Sequence, residues 1–256
     1  MFEGLVRAFL YHPTVLPPEA PLPPYIRGAR EVWLDAADGN RIHGLQWPAP
    51  PGRPTILFLH GNAQSVFEWG LISEELAPLE CGLLLIDYPG YGKSSGSPNE
   101  AGLTAAGDVA IEWLGQVAGV PEYKVVVFGK SLGGGVASRI AQGRRLRGVV
   151  LESTFRSIPH VARRLLPMLP VGAVISSERY ETIERIGGIR APILVVHGTE
   201  DELIPVAEGK ALFEAAPRPK ELYLVEGAGH NDVSWTAGQD YARRLRQWLD
   251  GVAQKE

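Results

Sequence analysis

One cysteine, Cys81, stands among 256 residues, so no internal disulfide can form. That lone thiol opens a strand-like run and reads as a small core residue rather than a nucleophile. No stretch approaches the roughly 20 apolar residues of a membrane-spanning helix. The opening residues MFEGLVRAFLYHP lack a basic leader, a long apolar run and a cleavage site, so no signal peptide is expected. These absences give a cytoplasmic expectation. A basic excess is missing too. With 25 Lys and Arg against 29 Asp and Glu the net charge is −4, which argues against nucleic acid as a partner. Internal repeats and low-complexity tracts are also lacking.

What is present fits a single globular α/β domain. The chain is 45% hydrophobic and 21% charged, too apolar for a disordered chain. Residues 1–24 stand apart as an N-terminal segment and a connector rich in proline (Pro13, Pro17, Pro18, Pro21, Pro23 and Pro24), ahead of a domain over 25–256. Phe2, Leu5, Val6, Phe9 and Leu10 share one helical face. That face suits a short helix docked on the body. A weak membrane-surface contact through residues 1–12 is the alternative, disfavoured because the opposite face is not basic.

From residue 31 the chain reads as a hairpin, Glu31–Ala36 and Asn40–Trp47, turning at Asp38-Gly39. Six short apolar runs follow: Thr55–His60, Leu83–Asp87, Val125–Phe128, Gly148–Leu151, Ile193–His197 and Leu222–Val225. Continuous apolar runs of this length are strands buried on both faces. Helix-compatible stretches lie between them, at 65–78, 100–118, 132–143, 205–215 and 235–253. The alternation predicts an α/β fold with a mainly parallel eight-stranded sheet and helices on both faces. Residues 153–181, with two prolines in an apolar stretch, read as a small cap insertion. Leu165, Leu166, Met168, Leu169, Val171, Val174 and Ile175 of the cap either line an acyl pocket or cover the sheet. Arg163 and Arg164 either read an anionic head group or are solvated.

Four loops at the ends of these strands carry chemistry. Gly129-Lys130-Ser131-Leu132-Gly133 is a G-x-S-x-G between a buried strand and a small-residue helix. A sharp turn there projects the Ser131 hydroxyl, and the flanking glycines remove Cβ atoms that would clash. The Leu132 N–H at the helix start suits an oxyanion donor. The alternative, a glycine-rich turn with an incidental serine, is weaker in this context. Two GKS triplets raise a phosphate-binding reading, but a P-loop needs an earlier glycine where Lys124 and Asp87 stand. Gly90-Tyr91-Gly92 begins a dinucleotide fingerprint that Ser95 breaks. Glu200, Asp201 and Glu202 follow the strand ILVVH, and each acid is of the right type to orient a histidine. His230 lies in the loop Gly227–Asp232 after LYLV, 29 residues beyond Asp201. His60-Gly61-Asn62-Ala63 follows TILFLH, and the second oxyanion donor is the N–H of Asn62 or of Ala63. His60 and His197 end strands beside glycines and read as groups that pack or hydrogen-bond locally, and His12, His43 and His160 show no partner pattern.

With those residues in place, the sequence resembles the α/β-hydrolase superfamily. It is most similar to the branch containing eukaryotic protein depalmitoylases and monoacylglycerol-hydrolase-like proteins. The matching segments are HGNA, DYPGYGKSSGSP, GKSLGG, HGTEDELIP and GAGHND, in the family's order across residues 60–232. The resemblance implies the α/β-hydrolase fold, a triad of Ser131, Asp201 and His230, and oxyanion donors at Asn62 and Leu132. It implies a serine hydrolase acting on a small-molecule acyl ester or thioester through an acyl-enzyme on Ser131, with no metal and no organic cofactor. An amide or peptide hydrolase of aminopeptidase type, or a non-catalytic binding protein on this fold, are the alternatives. No cysteine cluster stands near the N-terminus to match the lipid anchor of the eukaryotic members.

Overall fold

A computed structural model describes residues 2–165 and 177–253. Among them the strands are β1 His12–Pro13, β2 Arg30–Asp35, β3 Arg41–Trp47, β4 Thr55–Leu59, β5 Ala63–Gln64, β6 Gly82–Ile86, β7 Val125–Lys130, β8 Gly148–Glu152, β9 Ile193–Gly198 and β10 Lys220–Val225. Eight of them form one sheet in the order β10-β9-β8-β7-β4-β6-β3-β2. Pairing is parallel from β10 to β6, and β3 alone runs against its neighbours. This is the α/β-hydrolase architecture, with eight strands as the hairpin and the six apolar runs predict.

The apolar runs split by alternation into two cores, because successive side chains of a strand face opposite sides. Leu57, Leu59, Val125, Val127, Val149 and Leu151 face one way, and Ile56, Phe58, Val126, Phe128 and Val150 the other. The first face is covered by helix α4, Glu100–Gln116, and helix α5, Leu132–Ile140. Before α4 come α1, Phe2–Leu10, α2, Val66–Trp69, and α3, Ile72–Leu76. After α5 come α6, Ile158–Leu165, α7, Thr182–Arg185, α8, Val206–Ala215, α9, Val233–Ala237, and α10, Gln239–Ala253. On the second face α10 buries Tyr241, Leu245, Trp248, Leu249 and Val252, the helical stripe read from the sequence.

Two expected helices are broken. The stretch 65–78 becomes α2, α3 and a 3₁₀ turn at Ala77–Leu79, and 235–253 is interrupted at Gly238, whose φ of 55° ends one helix before the next begins. Helix α1 forms as expected. Val6 and Leu10 pack on the core, but Phe9 is 64% exposed, so the apolar face is docked only in part. The connector is extended and attached: His12–Pro13 pairs in parallel with Ala63–Gln64, and Leu16, Ala20 and Leu22 pack on the second core. Of the cap expectation over 153–181, residues 166–176 and the Leu165 side chain lie outside the described residues. Arg163 and Arg164 are exposed. None of the helices among the described residues is long and apolar enough to cross a membrane.

Because β4, β7, β9 and β10 are parallel, the loops after them open at one edge of the sheet, where ligands of open α/β sheets bind. Register brings the loops side by side: Leu59 faces Gly129, Lys130 faces Glu152, and Gly198 faces Val225.

Candidate active site

The turn from β7 into α5 is built around Ser131, whose φ of 53° and ψ of −118° place a side-chain-bearing residue in strained backbone. The turn is tight because α5 starts directly against β4. A Cβ on Gly133 would lie 1.9 Å from the Leu59 carbonyl oxygen, and one on Gly129 2.4 Å from that of Gly133. Only glycine fits at both positions. The strained peptide is tied down from β8. The Ser131 N–H donates to the Glu152 carbonyl at 2.9 Å, and the Thr154 hydroxyl donates to the Ser131 carbonyl at 2.7 Å.

Beneath the turn, the Glu152 carboxylate accepts from Lys130 Nζ at 2.7 Å and from the Tyr241 hydroxyl at 2.6 Å, all three buried. Burial pushes the Lys130 ammonium down, and the Glu152 charge and hydrogen bond outweigh it and raise it. The lysine of the other GKS triplet, Lys93, pairs with Glu31. Both lysines are therefore committed to ion pairs, in keeping with the failed phosphate-loop spacing.

The structure brings Ser131, His230 and Asp201 together. His230 Nδ1 lies 2.8 Å from Asp201 Oδ2, and Nε2 lies 3.1 Å from Ser131 Oγ. A carboxylate only accepts, so Nδ1 carries the proton and Nε2 is free to accept from the serine hydroxyl. Of the three candidate acids, Asp201 is buried, whereas Glu200 and Glu202 are exposed. Asp201 Oδ1 also accepts from the Ile204 N–H at 2.7 Å, and Oδ2 sits 3.4 Å from His197 Nε2. Burial pushes the Asp201 carboxyl up, but His197, His230 and the Ile204 N–H together hold it well below the usual carboxylate range.

His60-Gly61-Asn62 adjoins the serine: a Cβ on Gly61 would lie 3.7 Å from Ser131 Cβ. Neither the Asn62 nor the Leu132 N–H donates to an acceptor among the described residues. Two N–H groups without an acceptor among the described residues thus lie on the two loops that adjoin at the serine.

Sequence reasoning missed several partners. His197 makes the local hydrogen bond expected of it, donating from Nε2 to the Ile204 carbonyl at 2.8 Å, but its approach to Asp201 was not foreseen. Glu152 and Tyr241 gave no motif signal. His43, read as partnerless, sits buried between Asp87 and Glu31, 3.0 Å from each. His160 meets Arg156 and Glu208. Burial pushes the Cys81 thiol up to about 11, leaving it protonated and inert at neutral pH. Among the described residues no group of three His, Cys, Asp or Glu side chains is arranged to hold a metal ion.

Comparison with known proteins agrees with this architecture. A model of the Alpha/beta hydrolase family matches residues 56–185. An uncharacterized protein of Mycobacterium tuberculosis is 34% identical over 250 residues, covering 96% of this chain and 88% of the relative. Alpha/beta hydrolase domain-containing protein 17C of Mus musculus is 35% identical over 206 residues, 78% of this chain and 61% of that protein. The solved esterase Pf2001 of Pyrococcus furiosus superposes with a TM-score of 0.75 at 19% identity, covering 93% of this chain and 98% of the esterase. The chain belongs to the alpha/beta hydrolase family.

Proposed function

We propose that this hydrolase cleaves carboxylic esters or thioesters by a serine mechanism, with Ser131 as nucleophile, His230 as general base and Asp201 as the orienting acid. The observation that carries the reading is the unbroken relay from Ser131 Oγ through His230 to Asp201, set on a strained turn. In the reaction Ser131 Oγ attacks the acyl carbon while His230 Nε2 takes its proton. Asp201 keeps the proton on Nδ1 and stabilises the imidazolium. The Asn62 and Leu132 N–H groups hold the oxyanion. The imidazolium then gives its proton to the departing alcohol or thiol. Water attacks the acyl-enzyme with its proton going to His230, and the acid leaves as Ser131 regains its proton. The esterase named among the similar structures supports an ester substrate. Ser131→Ala should abolish turnover of p-nitrophenyl esters, and retained wild-type activity would refute the assignment. Esters and thioesters of graded chain length, run beside aminoacyl anilides, identify the preferred acyl group, and a preference for the anilides would replace the ester reading.

A further inference from the structure

The Asn62 N–H belongs to the peptide joining residues 61 and 62. That peptide is trans, so its N–H points opposite to the Gly61 carbonyl, and whatever fixes the carbonyl aims the N–H. His60 Nδ1 donates to the Gly61 carbonyl at 2.8 Å. The His60 ring is fully buried against Tyr88, Tyr91 and Trp69, with centroids 4.4, 5.4 and 6.0 Å away. Burial pushes the imidazole pKa down, so the ring is neutral, and its one proton sits on Nδ1 because a carbonyl only accepts.

The following peptide is fixed independently. The Asn62 carbonyl accepts from the His12 N–H at 2.8 Å and from the Tyr91 hydroxyl at 2.8 Å. The Asn62 side chain donates from Nδ2 to the carbonyl of Leu10, the last residue of α1, at 3.0 Å. The N-terminal segment is itself anchored at a buried carboxylate. Glu178 accepts from Arg7 Nε, from the Tyr11 hydroxyl and from the Glu100 N–H at the start of α4.

We infer that residues Leu10–His12, together with Tyr91 and His60, are positioning residues for the oxyanion donor: they lock both peptide planes of Asn62, making the N-terminal segment a working part of the active site. The inference rests on the proposed role of the Asn62 N–H. It means that undocking α1 lowers turnover without touching Ser131, His230 or Asp201.

The test uses the full chain with His12→Pro, which deletes one donor to the Asn62 carbonyl, and Tyr91→Phe, which deletes the other, singly and combined. Each is assayed for kcat and KM on a p-nitrophenyl ester and for inhibition by a trifluoromethyl ketone, whose serine adduct places an oxyanion on the donors. Loss of a whole donor typically costs about 10²–10³ in kcat. The double variant should approach that range, losing about 10–100-fold with KM within about twofold. The ketone's Ki should rise by the same factor that kcat/KM falls. His60→Leu should behave likewise, whereas His60→Asn, whose Nδ2 falls where the imidazole Nδ1 was, should recover most of the loss. That pair carries the test if His12→Pro does not fold. Folded variants with unchanged kcat and Ki, or a loss in melting temperature alone, would overturn the inference while leaving the proposed function standing. A wild-type protein inert toward esters, or one indifferent to Ser131→Ala, would bring down the proposed function and this inference with it.

Discussion

Replacing Asp201 by asparagine removes one charge while keeping shape, and the surrounding hydrogen bonds dictate the consequence. The Ile204 N–H donates to Oδ1 at 2.7 Å, and an asparagine can satisfy it only with its carbonyl oxygen. The amide NH₂ then faces His230 Nδ1, at the 2.8 Å site where the carboxylate accepted. Two donors cannot meet there, so the imidazole moves its proton to Nε2 and can no longer accept from Ser131. The flipped amide would rescue the tautomer but set its NH₂ against the buried Ile204 N–H, leaving a donor unpaired at about 1–3 kcal/mol. The wrong tautomer therefore dominates. In serine proteases the equivalent change lowers kcat by about 10⁴, and a fall of about 10³–10⁴ is expected here with KM nearly unchanged. The assay is steady-state hydrolysis of a p-nitrophenyl ester, with circular dichroism to check folding. The exposed neighbours supply controls: Glu200→Gln and Glu202→Gln should stay within about twofold of wild type. A folded Asp201→Asn enzyme keeping a tenth of wild-type kcat would refute the reasoning.

Other consequences concern stability. Glu152→Ala leaves the Lys130 charge buried without its partner and Lys130→Met leaves the Glu152 carboxylate so, and each should cost about 3–5 kcal/mol in urea unfolding, whereas the double variant Lys130→Met with Glu152→Leu, which removes both charges, should cost less than either. A double variant as costly as the two single losses added would contradict the buried-charge account. The Asp201 carboxyl is held low in the folded state, so its contribution to stability is present in full above its unfolded value of about 3.9 and is lost as pH falls toward the native value. Unfolding titrations should show wild type losing stability relative to Asp201→Asn as pH falls below about 4, and a constant difference would refute the linkage. Trp248→Ala empties the slot over Gly148 in the second core and should cost about 3–5 kcal/mol. A change under 1 kcal/mol would show that the core there collapses freely.

The sheet was legible because its central strands are buried on both faces: TILFL, LLLI and VVVF have no polar side to disguise them. The loops of the candidate site were legible because a parallel sheet delivers every strand end to one edge, so Ser131, His230 and the acidic loop 200–202 could be grouped by position, while the choice of Asp201 over Glu200 and Glu202 came from the family resemblance. Helix breaks were harder. Gly238 sits within an otherwise continuous helical pattern, and only its left-handed backbone marks the interruption. Partnerships across the chain were not legible. His43 meets Asp87 from an adjoining region of the sheet, and Tyr241 reaches Glu152 across 89 residues. The contact of Asn62 with Leu10 and His12 joins a loop to the end of α1 and the residue that leads into the proline-rich stretch, and neither composition nor periodicity marks that meeting. Such pairs carry no spacing rule, because the fold and not the local sequence brings them together.

The proposed mechanism stands or falls on whether Ser131 Oγ is the atom that bonds the acyl group. Incubating the protein with a fluorophosphonate and mapping the adduct by peptide mass spectrometry tests this directly. A single adduct on Ser131, lost in Ser131→Ala and strongly slowed in Asp201→Asn, is the predicted result. An adduct on another residue, or labelling that persists in Ser131→Ala, would contradict it.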